Sequence, residues 1–200
     1  MSTAFLLVAG HPALDLVNTL DWRFRKDGAE ELLTSYGDLL RFTAQAELLT
    51  STKARRLRRS ASDKTGAQAI EHCRELREAL AKIFYARLDG GQPPASARKT
   101  LERYFQAARL GQKLNWKQSP RLEWEWPQRE HDPALPLGAL ALSASDLMTS
   151  EAVDRVRACG NPECRWLFLD TSKNHTRRWC DMKLCGNRMK ARRFKAQRKA

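Results

Sequence analysis

The sequence has no run of 18 or more apolar residues, so no segment is long enough to cross a bilayer as a helix. The opening stretch, Met1 to Pro12, holds a short apolar run with no basic segment ahead of it. It reads as a buried strand rather than a secretory signal, and the cytoplasm is the expected compartment. The first 150 residues lack a nucleophile elbow, a phosphate-binding glycine loop and paired carboxylates, so no enzyme is expected there. No internal repeat is visible. Histidine is scarce, and His175 has no second histidine or acidic cluster beside it to hold a catalytic metal, which argues against a metal-dependent nuclease.

Cysteine is scarce too, with five in the chain, but four crowd the last quarter as Cys159-x4-Cys164 and Cys180-x4-Cys185. Two equally spaced pairs suit two knuckles that share one tetrahedral zinc ion. Turn-forming residues, Gly160-Asn161-Pro162, fill the first knuckle, and Gly186-Asn187 follow the second. Two disulfides are the competing reading. A cytosolic setting argues against them, and so small a segment needs a staple that zinc provides at about 10–16 kcal/mol. Four thiolates leave no open coordination position, so the zinc is expected to be structural. Cys73 lies on the apolar side of a helix and is expected to be a small core residue. His175 is expected to be an exposed hairpin residue.

Charge is as uneven as cysteine. The formal net charge is +13, yet residues 155–200 hold 14 Lys or Arg against three acids, Glu163, Asp170 and Asp181. The body before them is nearly neutral. Such asymmetry marks a polyanion binder, here DNA, with RNA as the alternative. After Cys185 a helix is expected, with Arg188, Arg192 and Lys195 on one face, Arg193 alongside, and Lys190 adding charge. Arg177 and Arg178 are expected to extend that surface. Met189 and Phe194 are expected to pack back on a hairpin, and Trp166, Phe168 and Trp179 to form a mini-core.

The remaining pattern predicts an α+β, mostly α fold. The first domain (1–150) is expected to be helical with a small antiparallel β-hairpin, and the second (151–200) a treble-clef or zinc-ribbon-like finger. Helices are expected over His11–Leu20, Leu32–Leu49, Thr65–Leu88, Ser96–Leu110 and Pro133–Ala158, the last with a break at Ser150-Glu151. A short one is expected around Lys53–Leu57. Lys113–Lys117 and Arg121–Trp126 alternate as a hairpin about Gln118-Ser119-Pro120. In the finger, Arg165–Leu169 and Arg177–Trp179 are expected to be paired strands.

Cys185-Gly186-Asn187-Arg188, with Trp166–Ser172 and Arg177–Cys180 before it, resembles the CGNR zinc finger. Gly10-His11-Pro12-Ala13-Leu14-Asp15-Leu16-Val17-Asn18-Thr19 is similar to the start of the ABATE domain that accompanies this finger in bacteria. The resemblance implies a stress-linked transcription regulator whose finger binds DNA and whose N-terminal domain senses a small molecule. His11, Asp15 and Asn18 share a helix face by i, i+4, i+7 spacing and could converge on that ligand, with Trp22 and Arg23 bordering it. A solvated face or a local His–Asp cap is the alternative, and the resemblance favours the ligand. The sequence leaves the oligomeric state open, a homodimer included.

Overall fold

Polar side chains cap the starts of the first four helices. Described in a computed structural model are residues 4–116, 122–126 and 131–198. The first helix, α1 (Pro12–Asn18), starts at His11, whose Nδ1 accepts from the Ala13 N–H. Strand β1 (Leu20–Asp21) pairs antiparallel with β2 (Glu30–Glu31). Helix α2 (Tyr36–Gln45) is delayed beyond the expected Leu32 because Ser35 and Asp38 form a capping box. It stops at Gln45, and Thr50 then caps a separate helix, α3 (Ser51–Ser60), twice the length expected for that segment. Ser62 caps the 26-residue α4 (Asp63–Leu88), and α5 (Ala95–Leu110) packs antiparallel beside it.

Strand β3 (Lys113–Asn115) pairs with β4 (Glu123–Glu125), with Leu114 opposite Trp124. The turn expected at Gln118–Pro120 lies outside the described residues, as does Lys199. Helix α6 (Leu135–Met148) is followed by the expected break at Ser150. The chain then makes a 3₁₀ turn (Glu151–Arg155) and a strand, β5 (Val156–Ala158), where the sequence pattern suggested continued helix.

Two further expectations are corrected. The opening apolar run is no strand. Its backbone is satisfied piecemeal, by the Phe5 N–H to Gln45 Oε1 (3.0 Å), the Ala9 N–H to Asp15 Oδ1 (3.0 Å) and the Leu169 N–H to the Ala9 carbonyl (2.7 Å). In the finger, β6 (Leu167–Leu169) pairs with β5, not with Arg177–Trp179. The first knuckle is itself the hairpin turn, so the segments on either side of it meet. A π-helical turn (Met182–Gly186) then leads into α7 (Asn187–Gln197).

One core runs through both regions. Leu14, Leu16, Phe42, Leu80, Phe84 and Leu140 from the helices share it with Leu167, Phe168 and the four clustered cysteines. Fully burying Leu167 and Phe168 contributes about 1.5–3 kcal/mol each. Cys73 is buried in it as expected, and burial pushes its thiol up to about 12. A smaller cluster of Leu40, Leu49, Leu57 and Leu135 seats α3. Arg77, which drew no attention in the sequence, is 3% exposed and grips Glu31 through two bonds of 2.7 Å, fixing the β1–β2 ribbon to α4.

Candidate metal centre and nucleic-acid interface

Two tight turns carry the four cysteines inward. In the first, the buried Asn161 accepts on its carbonyls from the Glu163, Cys164 and Arg165 N–H groups, and its Nδ2 donates to Cys185 Sγ at 3.6 Å. In the second, Asp181 caps the Leu184 N–H at 2.9 Å. Gly186 lets the Met182 side chain lie close, since a Cβ there would sit 2.5 Å from Met182 Sδ and push that side chain aside. The Sγ atoms of Cys159, Cys164, Cys180 and Cys185 all fall within 4.8 Å of one another. Cys164 and Cys180 are 3.8 Å apart. That matches the edge of a thiolate tetrahedron with Zn–S near 2.3 Å, roughly 3.8 Å. All five thiols are free, which removes the disulfide reading.

The four thiols also act on one another's protons. Hydrogen bonding from Cys164 and Cys180 pulls the Cys159 thiol down, while the same contact with Cys159, together with burial, pushes Cys164 and Cys180 up. Left alone, the cluster concentrates its negative charge on one sulfur. A divalent ion allows the thiols to bind together as thiolates. One zinc fits these four ligands and fills its tetrahedron with them. His175 stands apart, exposed, with its Nδ1 3.2 Å from the Asp170 carbonyl.

His11, Asp15 and Asn18 do share one face of α1, but each already has a partner in the chain. His11 caps its own helix. Asp15, 6% exposed, accepts from the Ala9 N–H, and burial raises its carboxyl to about 6. Asn18 bridges to the finger, donating to the Leu167 carbonyl and accepting from the Leu167 N–H, both at 2.9 Å. This face is a seam between α1 and β6. Arg165 and Tyr85 tie the finger to the C-terminal end of α4. Arg165 pairs with Asp89 at 2.6 Å, and the Tyr85 hydroxyl donates to the Arg165 carbonyl.

The cations of the finger divide in the same way. Arg177 is a strut, not a phosphate contact. Its guanidinium donates to the carbonyls of Trp179, Val8 and Cys180 and lies over Phe168. Arg178 is exposed beside Trp179. On α7, Arg188 stacks 4.6 Å over Trp22 of the body, whereas Arg192 pairs at 3.0 Å with Glu163 of the first knuckle. Lys190, Arg193 and Lys195 are exposed and make no ion pair among the described residues. Phe194 is 60% exposed and does not pack on the hairpin as expected. Trp166 and Phe168 are buried as the mini-core reading required, but in the shared core. The contacts of Trp22 and Glu163 with α7 escaped the sequence pattern. Glu163, an acid inside a cationic module, was the available signal.

Comparison with known families supports this arrangement. Residues 10–151 match the ABATE family, described as "Putative stress-induced transcription regulator", and residues 155–198 match the CGNR zinc finger. No curated protein matches the chain significantly.

Proposed function

The chain belongs to the ABATE family and carries a CGNR zinc finger, and from that premise we propose that it is a transcription regulator that binds DNA through α7 and responds to a small molecule. The observation that carries the DNA reading is the condition of α7. None of its residues is buried, and Lys190, Arg193 and Lys195 are exposed, with no ion pair among the described residues, on a helix that starts two residues after the last zinc ligand. A rigidly mounted cationic helix can follow a groove or clamp phosphates without ordering a flexible tail. Regulation by binding requires no catalytic step.

Fluorescence anisotropy with a labelled duplex at several salt concentrations tests this. Affinity should fall steeply with salt, and replacing Lys190, Arg193 and Lys195 together with alanine should reduce the salt slope by about one per lost phosphate contact. Salt-insensitive binding, or an unchanged slope in the triple variant, would contradict it. The same titration with RNA of matched length separates the alternative polyanion.

A further inference from the structure

A cavity of about 460 Å³ opens where the N-terminal segment, β1 and α2 face the finger, with Asp21, Trp22, Arg41, Trp166, Leu184 and Arg188 on its walls. This volume is in the range of sites that hold small organic molecules, and the zinc ligands Cys164, Cys180 and Cys185 also line it. Among the described residues, three buried side-chain polar atoms lack a hydrogen-bond partner. Two of them, Trp166 Nε1 and Arg41 Nε, belong to this cavity. Trp166 is only 7% exposed, and a buried donor left unpaired costs about 1–3 kcal/mol.

Beside that donor stands an under-used acceptor. The Asp21 carboxylate accepts from the Trp22 N–H at 2.7 Å, and the Trp166 indole N–H also bears on it, though without the alignment of a full hydrogen bond. The other acids on the wall are already satisfied, Glu31 by Arg77 and Arg74, and Asp38 by Arg41. A buried donor without a well-aligned acceptor thus stands beside a carboxylate with acceptor capacity to spare, between aromatic walls. The third feature is Trp22. Its φ of 48° is a strained value for a bulky residue. Its ring carries Arg25 at 4.3 Å and Arg188, from the first turn of α7, at 4.6 Å.

We propose that this cavity binds a flat, uncharged molecule presenting a carbonyl acceptor beside an N–H donor, the edge of a cyclic amide, and that its occupancy is relayed to α7 through Arg188. The ligand carbonyl takes the Trp166 N–H, the ligand N–H goes to Asp21, and the ring system fills the space beside Trp22 and Leu184. With Asp21, Arg41 and Arg188 all on its walls, an ion of either sign meets repulsion as well as attraction, which a neutral ligand avoids. Arg188 borders both the cavity and the cationic helix, so a ligand that repacks Trp22 shifts the stack that orients α7. This deepens the sensing half of the proposed function and rests on it, but the binding test needs no nucleic acid.

The test is calorimetry on the zinc-loaded full chain, with phenanthridinone as the neutral cyclic-amide probe and N-methylphenanthridinone as the same ring system without the N–H. Saturable binding of one phenanthridinone per chain is expected, about tenfold or more tighter than the N-methyl compound. A similar loss is expected in Asp21→Ala and in Trp166→Phe, with zinc content confirming the fold. Absence of saturable binding, equal affinity for the two probes, or undiminished binding in both variants would overturn the site. The relay is read separately, since phenanthridinone should change duplex affinity at least about threefold in the natural sequence and leave Arg188→Ala insensitive. Unchanged duplex affinity in the natural sequence would overturn the relay. Failure to bind any duplex would overturn the relay together with the DNA reading, and calorimetry alone would still decide the cavity.

Discussion

The helices at the two ends of the chain each carry a polar face, and those faces end in opposite places. Six of the seven residues of α1 are buried, Asp15 and Asn18 among them, whereas none of the eleven residues of α7 is. Sequence spacing gives both helices a coherent polar face, and both faces invite a binding role. The side chains differ in how they can be satisfied. Asp and Asn are short, and a single backbone N–H or one peptide unit completes them inside a core. Five long cations within eleven residues have no such solution and must meet solvent or a polyanion. Polar spacing alone therefore does not mark a ligand face, whereas unpaired excess charge does mark a surface.

The comparison can be broken first at the metal, because the four thiols belong to the core that α1 also lines. Cys180→Ser should lower the unfolding midpoint of the whole chain, not of the finger alone. Metal in finger peptides is worth about 10–16 kcal/mol, so the shift should exceed that of any other substitution considered. Thermal denaturation followed by helical circular dichroism checks this. A melting curve for the helices that matched the natural sequence would show two independent modules.

Next comes the seam. Asn18→Ala removes a donor and an acceptor at once and leaves the buried Leu167 peptide unpaired, a loss of about 2–4 kcal/mol. Urea unfolding should show this as a lower midpoint with an unchanged slope. A cost near zero would mean that α1 and β6 do not depend on that contact.

The smallest effect is one of pH. Burial raises the Asp15 carboxyl from 3.8 to about 6, so the unfolded chain releases its proton first. Stability from this group is therefore full below about pH 4 and falls as pH rises towards 6, by at most about 3 kcal/mol. His11 acts with the opposite sign. Burial lowers its pKa, so the unfolded chain takes up the proton first as pH falls below 6.5. Comparing Asp15→Asn with the natural sequence isolates the carboxylate. The variant should lose the decline between pH 4 and 6, and parallel curves would show that Asp15 is not buried as described.

Much of this was legible in the sequence. The α4 positions Ile70, Cys73, Leu76, Leu80, Ile83 and Phe84 repeat at helical spacing and are all buried. The four zinc ligands follow from spacing alone. Long-range pairing was not legible. No local pattern says that Leu167–Leu169 meets Val156–Ala158, or that Asn18 reaches a peptide 149 residues away. The division of the arginines was equally hidden, because the same residue type serves Arg177 as a strut and Arg193 as exposed charge. Only the carbonyls folded around Arg177 distinguish them.

The central claim is that finger and helical body form one folded unit closed by the metal. Amide hydrogen exchange with and without a chelator tests it most directly. Zinc removal should raise exchange at Leu14–Asn18 in α1 together with Leu167–Leu169 in β6. If the loss of protection stays within residues 155–198 while α1 remains protected, the two are separate modules and the claim is wrong.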